Sequence, residues 1–197
     1  MPTSDEQLRA VTIGEPVVHG GPVFLAAYDA GWPATFAAEA ERIAGALGER
    51  ALRLEHVGST SVPGLAAKPI VDIILVVSDS SDEAAYAPAL ESAGYVLRIR
   101  EPKWHEHRLF KGSGAEINLH VFGRGCSEIS RMLAFRDRLR TNAEDRELYE
   151  RTKRELAQRQ WKYVQNYADA KSDVVETILG RVPGAVPREP PETPDAC

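Results

Sequence analysis

The segment 55–72, EHVGSTSVPGLAAKPIVD, concentrates residue types that handle an anion. Glycine lets backbone approach a ligand closely, and successive N–H groups with Ser and Thr hydroxyls make a nest for phosphate oxygens. Gly58-Ser59-Thr60-Ser61 supplies that combination, and Lys68 adds a cation. Asp72 is the one carboxylate in the apolar run 70–77, IVDIILVV. A carboxylate there is costly unless it meets a cation or a strong donor. Asp72 therefore either handles a ligand or forms a structural ion pair with Lys68 or Arg108. The segment is not a P-loop, because Leu65 follows Gly64 where that motif needs lysine. It is not a nucleophile elbow either, since Gly-x-Ser-x-Gly does not occur there.

Further candidates lie downstream. His105 and His107 stand two apart on an expected strand and, with His120, form a candidate zinc set for a metal-dependent hydrolase. The competing reading is a pair of exposed strand histidines. Asn118 and His120 share one face of a strand whose other face is Ile117, Leu119 and Val121. Arg108 and Lys111 fall on opposite faces of a regular strand and cannot both enter one site. Arg136, Arg140, Lys153 and Lys171 fall in helices, as a solvated face or as a cationic wall over a cleft.

The elements that must position these groups follow from periodicity. Pro33 suits the first turn of a helix that Gly48 ends. Residues 51–57 read as a strand, 58–69 as a loop and 70–77 as a central strand covered on both faces. A helix is expected over 81–94, then strands over 95–100, 104–111 and 116–122. Three helices follow: one capped at Ser127, one over 143–161 with the capping pattern Asn142-x-x-Asp145, and one from Asn166 to Leu179. Strands gathered in one half and helices in the other predict an α+β fold, a mixed sheet flanked by helices with a C-terminal helical cap. Residues 1–22 read as an N-terminal extension, 23–181 as the folded domain and 182–197 as a proline-rich tail.

Composition removes several classes. The 197 residues carry a net charge of −5, a poor balance for a non-specific nucleic-acid binder. That sum hides a gradient: residues 1–97 are strongly acidic, whereas 98–163 are net basic and hold most of the candidate cations. No apolar run reaches the roughly 20 residues that cross a bilayer, so no membrane partner is expected. Two cysteines and the absence of a leader segment point to the cytoplasm. Without a C-x-x-C pair, a zinc ribbon is excluded.

The Gly58-Ser59 pair followed by an aspartate in an apolar strand resembles the signature of the nucleotidyltransferase superfamily. Within it, residues 56–73, HVGSTSVPGLAAKPIVDI, closely resemble the GrpB family, also called UPF0157. Tyr28-Asp29 with Trp32-Pro33, His107-Arg108 with Phe110-Lys111-Gly112, Asn118-Leu-His120, the Phe135–Arg140 stretch, Tyr149 with Lys153, and Tyr167 with Lys171 extend the resemblance. It implies transfer of a nucleotidyl or phosphoryl group from a nucleoside triphosphate to a small-molecule acceptor, with Mg²⁺. Gly58, Ser59, Thr60 and Ser61 would hold phosphate. His56, Asn118, Arg136, Lys153 and Lys171 would join them. Arg108 matches the family motif, and its planar fork suits phosphate oxygens; with Lys68 it would neutralise the charge. Asp72 would bind Mg²⁺ or act as a general base, and His120 would act as ligand or acid/base, for which imidazole suits. One departure from the superfamily stands out: its second carboxylate, two residues on, is replaced by Ile74. That gap makes a non-catalytic nucleotide- or anion-binding module, supporting a partner protein, the alternative.

Overall fold

The computed structural model describes residues 3–112 and 116–185. Its centre is β2 (Val71–Val77), where β-branched residues favour extended backbone. β2 pairs antiparallel with β1 (Arg53–Val57) and parallel with β5 (Ile117–Gly123). β5 pairs antiparallel with β4 (His107–Lys111), and β4 with β3 (Val96–Glu101), giving the order β1-β2-β5-β4-β3.

Alternation splits β2 between two cores. Ile73, Leu75 and Val77 join Leu119, Val121 and Phe110 beneath α2 (Trp32–Leu47) and α3 (Ala87–Ser92), which contribute Ile43, Leu47 and Leu90. Ile74 and Val76 face the other way, against Val57, Phe122 and Ile129 of α4 (Ser127–Thr141). Asp72 shares this second face, at the strand's first turn of the pleat, beside Asn118. The architecture is therefore the α+β mixed sheet between helices that the sequence predicts.

The remaining helices form the cap. α5 (Ala143–Ala157) starts as the spacing predicts, with the Asn142 side chain accepting from the Asp145 N–H at 2.8 Å. α4, α5 and α7 (Ser172–Leu179) enclose Leu139, Tyr149, Val174 and Ile178, and into this core insert Val62 and Leu65 from the 58–69 loop, both fully buried. The cap thus clamps the loop that the sequence singles out.

Several expectations change. α4 takes Cys126, not Ser127, as its N-cap residue, and α5 ends at Ala157 and not at 161. The 81–94 helix is only α3 with a separate 3-10 turn at Glu83–Ala85, because Pro88 has no N–H and must sit in a first turn. The 104–111 strand starts at His107, since His105 and Glu106 take left-handed backbone at φ 56° and 49°. The last helix divides into α6 (Val164–Asp169) and α7. Within the expected extension, α1 (Asp5–Val11) forms with a Ser4 capping box, and Ile13 N–H donates to Arg98 O at 2.8 Å along the outer edge of β3. That contact shields an edge strand from further pairing. Most of the proline-rich tail, 186–197, lies outside the described residues. No helix among the described residues is long and apolar enough to cross a membrane.

Leu75 is fully buried at the centre of the sheet. Leu75→Ala is expected to cost about 2–5 kcal/mol in urea denaturation, whereas Val96→Ala, at a 56% exposed edge position, is expected to change stability by no more than about 0.5 kcal/mol.

Candidate functional site

The site is built around the Asp72 carboxylate. Register places Asn118 directly beside it on β5, and Asn118 Nδ2 donates to Asp72 Oδ1 at 2.6 Å. Asn118 Oδ1 in turn accepts from Lys111 Nζ at 2.5 Å, which fixes which way the amide points. His120, two residues along the same face, puts Nε2 3.6 Å from Asp72 Oδ1. Burial works against the charge of Asp72, but His120 and Asn118 outweigh it and hold the carboxyl below its ordinary range.

The loop approaches from the other side. Gly58 has φ 68° and ψ −174°, a backbone region essentially reserved for glycine. A Cβ at Gly58 would stand 2.3 Å from Asp72 Oδ2, so only glycine lets the turn lie on the carboxylate. Beyond it, Ser59 Oγ accepts from Lys153 Nζ at 3.0 Å, and Lys153 also donates to the Ala66 carbonyl. Lys153 lies on α5, 2% exposed, so the cap reaches the loop through a buried cation.

These groups line one cleft of about 1170 Å³, with Gly58, Ser59, Asp72, Asn118 and His120 on its floor. Lys68, Lys111, Lys153 and Lys171 all line it. Burial, followed by the charge of Lys171, pulls Lys68 down to about 8 and Lys153 down to about 7. Burial lowers Lys111 as well. Such a cluster needs an anion to bring its ammonium groups back to their ordinary range. Lys171 Nζ sits 4.6 Å from the Tyr167 ring centroid, and the buried Tyr167 hydroxyl has no hydrogen-bond partner among the described residues.

Five predicted residues lie elsewhere. Arg108, 4% exposed, is on the face of β4 opposite Lys111, bonded to Glu83 at 2.5 Å and Glu106 at 3.2 Å, so its charge is spent structurally. His56 pairs in register with Ile73, not with Asp72, and so faces away. It stacks on Phe36 at 5.0 Å, its Nε2 lies 3.1 Å from Thr60 Oγ1, and burial lowers it to about 4. Thr60 and Ser61 face the same way. Ser61 Oγ donates to Gly58 O at 2.6 Å, and Ser61 O accepts from Arg140 at 2.8 Å. Arg136 is held by Glu55 at 2.6 Å and donates to His56 O. His56, Ser61, Arg136 and Arg140 instead line a separate cavity of about 550 Å³. They brace the turn from behind. The three-histidine set does not assemble: His105 sits in the left-handed turn, and no group of three metal-ligating side chains forms among the described residues.

Lys111 is the cleft residue that sequence reasoning passes over. Strand alternation does separate Arg108 from Lys111, but only the register opposite Asn118 shows which of them faces Asp72.

Comparison with known proteins agrees with this architecture. A family model described as GrpB protein matches residues 22–181. A UPF0157 protein of Halalkalibacterium halodurans is 59% identical over 180 residues, covering 91% of this chain and 92% of that one. A UPF0157 protein of Streptomyces coelicolor is 47% identical over 170 residues, covering 84% and 89%. The crystal structure of conserved protein GrpB from Enterococcus faecalis superposes with a TM-score of 0.66 at 29% identity, over 78% of this chain and 98% of that one.

The contact between Gly58 and Asp72 yields a double-mutant test. Gly58→Ala is expected to cost about 1–3 kcal/mol from backbone strain plus the clash. Adding Asp72→Ala removes the two closest contacts, leaving Cβ at 3.1 Å and the backbone strain, so the two changes are expected to couple by at least about 0.5 kcal/mol in denaturant melts.

Proposed function

This chain belongs to the GrpB family, and we propose that its cleft binds a nucleoside triphosphate and transfers a nucleotidyl or phosphoryl group to a small-molecule acceptor. The observation that carries this reading is the gathering of four lysines and the Gly58-Ser59 turn with Asp72 in one cleft, which Glu116 also lines. The triphosphate lies against Ser59 and the backbone of the turn, neutralised by Lys68, Lys153 and Lys171. Binding and orientation of the phosphates supply most of the catalysis in phosphoryl transfer, where charge spreads over non-bridging oxygens.

Asp72 is the carboxylate available to one Mg²⁺, which ordinarily takes one or two carboxylates together with substrate phosphates. When bound, the ion neutralises charge on the phosphates. Ile74, buried among apolar neighbours, stands where a second carboxylate on that face would hold a second ion, so the residues fit a single-ion site and not a two-ion one. His120, 3.6 Å from Asp72, is placed to take the proton of the acceptor hydroxyl. The O–H bond breaks toward His120 as the hydroxyl oxygen bonds to phosphorus, and pyrophosphate or nucleoside diphosphate leaves with the electron pair of the broken P–O bond.

The absence of a second carboxylate favours one other reading, a module that binds nucleotide without turning it over. Incubation with each nucleoside triphosphate, Mg²⁺ and candidate acceptors separates the two. Release of pyrophosphate or nucleoside diphosphate supports the transferase; a rise in Tm without release supports the binding module; neither effect removes both.

Two further outcomes are expected. Lys153→Met removes a charge-assisted contact worth about 1.5–3 kcal/mol, so nucleotide Kd rises by about 10-fold or more. A bound triphosphate raises the lowered lysines, so binding takes up protons. Affinity therefore falls as pH rises from about 7 through 8, where Lys153 and Lys68 lose their protons in the free protein. Calorimetry at pH 8 in two buffers of different ionisation heat reads that uptake directly, and equal apparent heats contradict it.

A further inference from the structure

The floor of the cleft changes character from one side to the other, and strand register sets where. Asp72 pairs with Asn118, Asn118 with Lys111 and Lys111 with Val96, a row that crosses from β2 to β3. In the next row along the same face, His120 pairs with Leu109 and Leu109 with Ile99. Three inter-strand steps make this floor about 14 Å wide. It is polar over β2 and β5 and ends aliphatic on β3. Leu8 of α1 lines the far side, and Val17 and Val18 line the mouth. That segment is pinned in place: Thr12 bridges Ile99, and the His19 N–H donates to Lys162 O at 2.8 Å. Three of the six large apolar side chains left exposed among the described residues, Val17, Val18 and Val96, line this one cleft. Exposed apolar surface gathered in this way marks a contact surface.

The polar side chains at this end are already engaged. Thr12 Oγ1 donates to Leu8 O at 2.6 Å, Gln165 Nε2 donates to Asp169 at 2.8 Å, and His19 Nε2 lies 3.0 Å from Pro22 O. A nucleobase placed here would leave its ring nitrogens and exocyclic groups unpaired, at the full cost of their desolvation. An aliphatic body has no such groups to satisfy. Arg98 is the exception. It is the extra residue of a bulge between Leu97 and Ile99, so that Arg98 and Ile99 both line the cleft. Its side chain is partly buried, and its guanidinium makes no hydrogen bond or ion pair among the described residues. One guanidinium fork matches one carboxylate in charge and shape. Lys111, the neighbouring cation, is taken by Asn118.

We propose that the β4–β3 half of the cleft is the acceptor subsite, and that the acceptor is an aliphatic alcohol carrying a carboxylate. Its body lies over Leu109, Ile99 and Val96, with Val17 and Val18 closing on it from the mouth. Its carboxylate meets Arg98. Because Leu109 stands directly beside His120, the other end of the body brings the hydroxyl to the polar half, where the phosphates lie. That the occupant is an acceptor rests on the function proposed above; that an aliphatic carboxylate lodges here rests on the lining alone.

Titration calorimetry on the full chain tests this, with ω-hydroxyoctanoate as the probe and octanediol and gluconate for comparison. Each is added to the free protein and to protein mixed with a non-hydrolysable nucleoside triphosphate and Mg²⁺. ω-Hydroxyoctanoate is expected to bind in both cases. Octanediol, which lacks the carboxylate, is expected to bind about 10-fold more weakly. Gluconate, which keeps the carboxylate but replaces the aliphatic body with hydroxyls, is expected to bind at least about 10-fold more weakly. Arg98→Gln brings ω-hydroxyoctanoate to the octanediol level and leaves octanediol where it was. Val17→Ser with Val18→Ser, at exposed positions that folding tolerates, weakens both octane probes by about 5-fold or more and leaves the triphosphate Kd in place. No binding of ω-hydroxyoctanoate, gluconate binding as tightly, or displacement of the probe by triphosphate overturns the proposal. So does a triphosphate Kd that rises with the probe's in the Val17/Val18 variant, because the aliphatic half then holds the nucleoside. If the probes behave as stated and no triphosphate is bound or turned over, the aliphatic subsite stands and the transferase reading fails, so the two are distinguishable.

Discussion

One half-buried carboxylate in an apolar strand sets the terms for the rest of the molecule. Asp72 sits in a strand otherwise made of Val, Ile and Leu, and its charge survives only because donors are brought to it. Asn118 can donate only if β5 lies parallel to β2 in this register, and a slip of one residue would turn the amide to the opposite face. Lys111 then has to hold the amide from β4. On the open side, the turn lies so close that position 58 admits no side chain. The parallel strand pairing, the glycine conformation and the choice of lysine on β4 are thus consequences of a single electrostatic requirement.

The second theme is surplus positive charge. Asp72 accounts for one of the charges around the cleft, while four lysines line it. In a folded protein without ligand this is unfavourable: burial first, and the charge of Lys171 second, lower the affinity of Lys68 and Lys153 for protons. Folding accepts the cost because the cap is held by apolar contacts that do not depend on those charges, Val62 and Leu65 inserting among Leu139, Tyr149, Val174 and Ile178. The same packing delivers Lys153 to Ser59. A polyphosphate is the ligand class whose charge matches this surplus. The arginines have different work: Arg108, Arg136 and Arg140 are tied to carboxylates or carbonyls and stiffen the strand and the turn.

Much of the fold was legible in the sequence, because periodicity and punctuation are local signals. The apolar run 70–77 gave the central strand, Pro33 and Gly48 bounded α2, and Asn142 capped α5. The grouping of candidate residues was legible too: Gly58, Ser59, Lys68, Asp72, Asn118, His120, Lys153 and Lys171 line one cleft. What escaped depends on tertiary placement. His56 is one residue from Val57, and the pleat alone decides that it faces away from Asp72. Arg108 has better phosphate geometry than Lys111 by residue type, but Glu83, 25 residues away, claims it. Thr60 and Ser61 look like phosphate ligands in a linear motif, whereas the 3-10 turn rotates their hydroxyls behind it.

The Gly58-Ser59 side of the turn is the proposed phosphate site, and the Arg136-Arg140 side is its structural brace. A crystal structure with a non-hydrolysable nucleoside triphosphate and Mg²⁺ tests that division most directly. Phosphate oxygens within hydrogen-bond distance of Ser59, Lys68 and Lys153, with Asp72 facing the phosphates, is the result predicted. A triphosphate seated instead against Arg136, Arg140 and His56, with the lysine cleft empty, would contradict it.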